Sequence, residues 1–332
     1  VKFIFSLLTD PEIGVIKDMK EIDAVGHRLV LGGDKYNKSS IIDEDLKAVM
    51  EEMKDLAPLH NPAGLKGVHA IETLLPRVPQ VGVFDTAFHA TMPDYAYLYP
   101  LPYEFYEKYH IRRYGYHGTS HRYVSQRVCE MLGKDIHHTK IITCHIGNGA
   151  SISAVKNGVC IDTSMGLSPL AGLMMGTRCG DIDPSIVTYL ENKLQKTPAE
   201  MDVILNKESG VKGITCLSSD MRDVEEAAEK GDPKAVLALQ MYDYRIKKYI
   251  GAYAAAMGGV DVIVFTAGVG ENQTSTRETA CSGLEFIGVK IDVEKNKKIH
   301  GEEAIISTPE SKVKVVVVPT DEEIVIARDT KE

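Results

Sequence analysis

ITCHIGNGASISAVKNGV, residues 142–159, is the stretch whose reading decides the fold. An apolar, β-branched run meets Gly147-Asn148-Gly149, an alternating run follows, and Asn157-Gly158 turns the chain again. This pattern predicts a strand over 140–147, a tight bend, and a returning strand over 150–156. A bend alone needs only turn residues. His145 and Asn148 beside two glycines predict that something anionic comes close to the backbone there.

The same punctuation recurs along the chain. Apolar runs end in FDT (84–86), HIGNG (145–149), TAGVGEN (266–272) and PTDEE (319–323). Ligands of open α/β sheets sit beyond the carboxyl ends of strands, so four such ends predict one cleft. Between the strands, helices are expected over 41–55, over 61–75, and from a Thr119-Ser120 cap to about Leu132. A long helix opens at Asp232-Pro233. Its stripe Leu239, Tyr242, Ile246, Ile250, Tyr253 and Met257 has helical spacing, reads as core, and stops at Gly258-Gly259. Alternating β-rich and helical patterns predict α/β architecture.

The chain has 332 residues, 44% of them hydrophobic, enough for two domains with sizeable cores. Its net charge of -9 comes with no basic block, which argues against a nucleic-acid or membrane-surface partner. Six cysteines (129, 144, 160, 179, 216 and 281) show no CxxC pairing and fit buried, reduced thiols in a cytoplasmic protein. No apolar run reaches membrane-spanning length. The opening VKFIFSLLTDPEIG has neither an initiator Met nor a charged region ahead of its apolar run, and reads as a chain entered partway through.

Several stretches are able to carry chemistry. AGVGEN is expected to follow a strand and precede a helix, where backbone N–H groups face an anion. Gly268-Val269-Gly270 lacks the third glycine of a dinucleotide fingerprint, so nucleotide contact and a plain tight turn both stay open. RRYGYHGTSH (112–121) sets His117 between Gly115 and Gly118 at a helix start, a place to donate a hydrogen bond to developing negative charge. His117 and His121 are four apart, but Gly118 and the cap are expected to break the helix between them. With no HExxH, a zinc hydrolase is the weakest reading. Arg28 in VGHRLVLGGDKY (25–36) and Arg178 in MGTRCGDIDPS (175–185) sit among small residues, as surface charges or as bidentate anion clamps. Asp85 and Glu322 end buried strands and suit Mg²⁺ held through carboxylates, water and phosphates.

Taken together, GHRLVLGG, LAPLHNP, VFDTAFHATMP, YGYHGTSH, TCHIGNGASI, GTRCGDIDP, SSDMRD, FTAGVGEN and PTDEE resemble the acetokinase family. That family belongs to the acetate and sugar kinase/Hsp70/actin superfamily, and the resemblance covers essentially the whole chain. It implies an α/β, two-domain duplicated ribonuclease H-like (actin-like ATPase) fold with an interdomain cleft. The domains would be 1–87 plus 320–332, and a nucleotide-binding 88–319. It implies reversible, in-line transfer of the ATP γ-phosphoryl to acetate, giving acetyl phosphate and ADP, with Mg²⁺ or Mn²⁺.

By the same resemblance, Arg28 and Arg178 bracket the acetyl phosphoryl group and His117 steadies it. Asp85 and Glu322 organise the metal. His145, Asn148 and Gly149 belong to the phosphate region. Asp220, Arg222, Gly268, Gly270 and Asn272 lie on the nucleotide side. Val30, Leu59, Tyr116 and Pro169 line the acyl pocket, with His60 beside it. A homodimer is implied. The family usually has His at Leu31, Phe at Tyr116 and Asn at Asp321, so a polar contact near the acyl site is expected to be lost and the pocket to gain a hydroxyl. The family's first phosphate-binding hairpin finds no match here, so the first domain is expected to be truncated at its N-terminus. Propionate or butyrate kinase is the alternative within the class. Outside it stands a catalytically impaired nucleotide-binding fragment.

Overall fold

The computed structural model describes residues 2–57 and 60–332, apart from the side chains of Lys2 and Asp55. Its strands are β1 (Val25–Leu29), β2 (Ser40–Ile41), β3 (Gln80–Phe84), β4 (Lys140–Ile146), β5 (Ala150–Lys156), β6 (Val159–Thr163), β7 (Val262–Thr266), β8 (Ala304–Ile305) and β9 (Lys314–Val317). They form two sheets, ordered β1-β3-β2 and β6-β5-β4-β7-β9-β8. The chain divides into two compact units. One holds the residues up to Ala90 together with Asp321–Glu332, the other Thr91–Thr320.

In the first unit β1 and β3 run parallel, with Arg28 opposite Val83 and Leu29 opposite Phe84. β3 is buried throughout, as its unbroken apolar run requires. Leu29 and Phe84 pack with Leu46, Met50 and Leu65 from the helices Glu44–Glu52 and Asn61–Leu74. Asp43 caps the first of these helices, and Pro62 enters the first turn of the second, where its missing N–H costs nothing. The last helix, Glu322–Lys331, packs on β1 and β3 and is capped by Asp321.

In the second unit β4 and β5 form the expected hairpin, with His145 opposite Ser151 and Thr143 opposite Ser153. β7 joins β4 in parallel, and β9 joins β7 in parallel. The ends of β4, β7 and β9 therefore share one sheet edge. The FDT end belongs to β3, in the sheet of the first unit. The helix Pro233–Met257 buries Ala235, Ala238, Tyr242, Ile246, Ile250, Tyr253, Ala254 and Met257, and Gly258 ends it at φ 68. Among the described residues no helix is long and apolar enough to cross a membrane.

Three local expectations are corrected. The helix Gly118–Leu132 begins before Thr119, with His117 as its N-cap at φ 58. The His121 N–H donates to the His117 carbonyl at 2.9 Å, so nothing breaks between the two histidines. AGVGEN follows β7 and precedes the helix Thr274–Cys281 as expected, but it also forms a short helix of its own, Ala267–Asn272. The Glu271 carboxylate folds back onto the Ala267 N–H at 2.7 Å and the Thr320 N–H at 3.2 Å, so an internal anion already occupies that helix start. Lastly, four cysteines are buried but Cys216 is exposed and Cys179 half-buried.

Buried charges in this unit are treated in opposite ways. Arg277, fully buried, donates to the carbonyls of Gly270, Glu271, Asn296 and Ile299 and to the Asn296 side chain, tying the end of the helix Ala267–Asn272 to the following loop. Asp243 is buried with its Oδ1 unpartnered. Burial, its largest cause, pushes its carboxyl from 3.8 up to about 6. The folded chain then binds this proton more tightly than the unfolded chain, so stability falls as pH rises between these two values. Asp243→Asn is therefore expected to stabilise the chain at pH 7.5 by up to ~3 kcal/mol, with a smaller gain at pH 5. Urea unfolding at both pH values reads this; an equal or negative change at pH 7.5 contradicts it.

Candidate active site

The first unit presents a charged triad. Arg28 leaves β1 beside Asp85, which follows β3 and whose N–H donates to the Leu29 carbonyl at 2.9 Å. Parallel pairing thus fixes the two side chains as neighbours. Arg28 Nε donates to Asp85 Oδ1 at 2.9 Å and Nη2 to Oδ2 at 2.6 Å, a bidentate pair. Glu322, first residue of the last helix, lies with Oε2 at 3.6 Å from Arg28 Nε. Asp85 holds the guanidinium well above the ordinary arginine range. Burial raises the Glu322 carboxyl, against the pull of Arg28.

Glu322 Oε2 is buried and has no hydrogen-bond partner. A buried carboxylate oxygen left unsatisfied beside a second carboxylate is an oxygen donor set of the kind hard divalent cations take, so Asp85 and Glu322 fit Mg²⁺. Among the described residues no group of three or more His, Cys, Asp or Glu is arranged to hold a metal. Val30, half-buried, follows β1, and exposed His60 caps the helix Asn61–Leu74. Leu59 lies outside the described residues. Leu31 is fully buried, its carbonyl accepting from the Asn61 side chain at 3.0 Å, so it packs in the interior rather than presenting a surface.

The second unit gathers most of the remaining candidates at the β4–β5 bend. A Cβ placed on Gly149 would sit 3.2 Å from Arg178 Nη2 and 3.4 Å from His117 Nε2. Both atoms therefore border the space that glycine leaves. Backbone bonds from Met175 to Arg178, Ser209 to Thr177, and Val211 to Met175 fasten the Arg178 loop, and Arg178 Nη1 donates to the Pro169 carbonyl at 2.7 Å. Among the described residues no carboxylate pairs with Arg178, and burial pulls its guanidinium below the ordinary range. Tyr116 is buried, and its hydroxyl donates to the Leu167 carbonyl at 2.5 Å, so the extra hydroxyl is spent on backbone instead of opening the pocket to polar ligands.

Behind His117 lies a hydrogen-bonded cluster. His117 Nδ1 lies 2.9 Å from Ser151 Oγ, and His121 Nε2 lies 2.7 Å from the same oxygen. His145 stacks on His117 with centroids 4.1 Å apart and has Nδ1 2.8 Å from Ser120 Oγ. His145 thus backs the site from the interior.

Beside the bend opens a cavity of about 740 Å³, lined by Gly147, Asn148, Gly176, Ser219, Asp220, Met221, Arg222, Glu225, Tyr242, Gly268, Val269, Asn272 and Gln273. It has the volume of a small-molecule site and mixes apolar walls with a few polar groups. Arg222 forks onto Asp220 at 3.0 and 2.6 Å, and lowers the Asp220 carboxyl to about 2, keeping it ionised as an acceptor. Asn148, Asp220, Arg222, Gly268 and Asn272 line this cavity; His145, Gly149 and Gly270 do not. Gly270 is buried, with its Cβ position 3.5 Å from the Cys144 carbonyl of β4.

Sequence reading missed the floor, Tyr242 and Gln273, and the serines behind the histidines. Tyr242 was absorbed into the helical core stripe, which it also serves. For Ser151 a signal existed: in TCHI and SISA, alternation puts Thr143, His145, Ser151 and Ser153 on one buried face, where apolar residues are the norm.

Fold and site together define a phosphotransferase of the actin-like ATPase architecture. The chain belongs to the acetokinase family, whose model matches residues 1–328. The acetate kinase of Phocaeicola vulgatus is 62% identical over 330 residues, which are 99% of this chain and 83% of that one. The crystal structure of Porphyromonas gingivalis acetate kinase is similar at a TM-score of 0.96 and 58% identity, covering 99% of this chain and 83% of that one. A propionate kinase from Francisella tularensis follows at 0.92 and 42%, with the same two shares, 99% and 83%.

Proposed function

We propose that this chain phosphorylates acetate from ATP, giving acetyl phosphate and ADP, and runs the reverse reaction. Arg178 carries the reading: a half-buried guanidinium with no carboxylate partner among the described residues, fixed by its loop and bordering, with His117 Nε2, the space at Gly149. Such a cation is stabilised by an incoming anion, and two donors around one gap suit the oxygens of a transferring phosphoryl group. Phosphoryl transfer asks mainly for positioning and charge neutralisation, which these residues supply without a covalent nucleophile.

In this proposal the nucleoside occupies the 740 Å³ cavity, with Asp220 as acceptor for a hydroxyl and Gly268 leaving room at its wall. Asn148 and the backbone of the bend face the phosphates. His117 Nε2 and Arg178 hold the transferring phosphoryl. Arg28 orients the acceptor carboxylate, and Asp85 and Glu322 hold Mg²⁺. When bound, that ion neutralises phosphate charge. Val30, Tyr116 and Pro169 bound the acyl methyl, with Leu59 and His60 beside them. A homodimer in the cytoplasm completes the proposal.

The test is a hydroxamate assay with ATP, Mg²⁺ and each of acetate, propionate and butyrate. Acetate is expected to lead, with propionate reduced by roughly 10- to 200-fold at most, since one methylene is worth only about 1–3 kcal/mol. Propionate exceeding acetate would reassign the acyl preference. Hydroxamate from none of the three would end the proposal.

A further inference from the structure

The loop that carries Arg178 is closed at a neck. The Asp181 N–H donates to the Gly172 carbonyl at 2.8 Å, and the Gly172 N–H donates back to Asp181 Oδ1 at 2.7 Å. Gly180, at φ 69, lies so close to the carbonyls of Gly172 and Leu173 that a Cβ has no room there. Arg178 stands three residues inside this neck and Pro169 three residues outside it. The neck therefore sets how the two segments joined by the Arg178–Pro169 hydrogen bond stand to each other.

The neck is fastened on two sides. Gly172, at φ 96, lies against the Ser164 carbonyl with no space for a side chain. Ser164 is in turn tied to β5: its N–H donates to the Ile152 carbonyl, and the Ile152 N–H donates to its Oγ, both at 2.9 Å. On the other side the Tyr249 hydroxyl donates to Asp181 Oδ2 at 2.5 Å, across 68 residues of sequence. A carboxylate only accepts, so the phenol is the donor. Burial, its largest cause, raises the phenol and keeps that proton in place. Tyr249 belongs to the helix Pro233–Met257, about two turns after Tyr242, which lines the 740 Å³ cavity.

Asp181 is an exposed residue, yet one of its oxygens is committed to the neck and the other to the long helix. Both are charge-assisted bonds, roughly twice as strong as neutral ones. We propose that Asp181 and Tyr249 are positioning residues for Arg178: the carboxylate closes the neck of its loop, and the hydroxyl fixes that neck to the helix. The proposal rests on the phosphoryl-holding role given to Arg178 above. Both residues act through the guanidinium and not on substrate.

The experiment has two readouts. The first is kcat of Asp181→Ala, Asp181→Asn and Tyr249→Phe, each made in the parent and in Arg178→Gln. In the parent, Asp181→Ala is expected to lose roughly 100-fold and Tyr249→Phe roughly 10-fold, with KM for ATP little changed, as for a group displaced by about an ångström. Asp181→Asn, which keeps an acceptor for the Gly172 N–H, falls between Asp181→Ala and the parent. In Arg178→Gln the same changes are expected to cost less than about threefold, because the charge they place is gone. A residue that merely supports the fold would cost as much in either background. The second readout is guanidinium ¹⁵N NMR of the intact chain without substrates, the Arg178 signal being the one missing from Arg178→Gln. Hindered rotation of the Arg178 guanidinium in the parent, and faster rotation in Asp181→Ala and Tyr249→Phe, are expected. Equal losses in both backgrounds, a parent kcat unmoved by Asp181→Ala, or an Arg178 signal unchanged in both variants overturns the proposal. Tyr249→Phe removes a single oxygen, so both readouts remain where Asp181→Ala fails to fold. The NMR result stands even where no phosphoryl transfer is found, which separates this inference from the functional reading it rests on.

Discussion

Arg178→Gln is expected to lower kcat by about three orders of magnitude and, at the same time, to raise stability. The first effect follows from the site: an arginine steadying transferring phosphoryl charge is worth roughly 10³–10⁵ in rate. Glutamine keeps a donor for the Pro169 carbonyl, so the loop geometry persists while the charge goes. The second effect follows from burial without a counter-ion. Arg28 shares its charge with Asp85, but Arg178 faces no carboxylate, and burial disfavours its charged form. Removing that charge is expected to add up to about 1 kcal/mol, kept small because solvent still reaches part of the side chain, or about 2–4 °C in melting temperature. Saturation kinetics together with a thermal melt read both. A variant within tenfold of the parent in kcat would remove Arg178 from the reaction. A variant that is dead and also less stable would make it a scaffold residue.

Gly149→Val is expected to cost about 100-fold in kcat with little change in KM for ATP. A bare Cβ already meets Arg178 Nη2 and His117 Nε2 at 3.2 and 3.4 Å, and the two Cγ atoms of valine extend into the gap those donors share. The 740 Å³ cavity that the proposal gives to the nucleoside is lined by Gly147 and Asn148 but not by Gly149, so nucleotide binding is expected to survive. Fluorescent-nucleotide titration beside the hydroxamate assay separates the two. Equal losses in both would mean that the bend itself has collapsed. Gly149→Ala is the milder step, since its Cβ asks the neighbours to give only a few tenths of an ångström.

The two sheets were legible because buried strands are continuous apolar runs and their ends are abrupt. The hairpin over 140–156 came out within a residue, since Gly147-Asn148-Gly149 permits little else. Helix starts were harder. At GYHGTSH the hydroxyls suggested a cap, but His117 takes the left-handed conformation and the helix begins at Gly118, leaving Thr119 and Ser120 inside it. At TAGVGEN the glycines suggested an open anion site, while Glu271 closes it from four residues on. Both misreadings share a cause: which polar group satisfies a helix start depends on side-chain reach, which spacing alone leaves undetermined. Single functional residues such as Arg178 were visible as types. That Arg178 lacks a carboxylate partner among the described residues, and that Ser151 links two histidines, are facts of three dimensions.

The order of the strands also bears on how the chain acquires its fold during synthesis. β4 and β5 are joined by three residues and are able to pair as soon as they emerge, but β4 must wait for β7 until more than a hundred further residues have been made. The first unit waits longer still, because its sheet is covered by the helix Glu322–Lys331, more than two hundred residues after β3. A ribosome-bound intermediate would thus carry β1 and β3 with one apolar face uncovered until that helix emerges, a natural client for a holding chaperone. Glu322, at the head of that late-arriving helix, joins Arg28 and Asp85 only when the helix docks. The triad is therefore complete only after that helix has been made and has docked on the sheet.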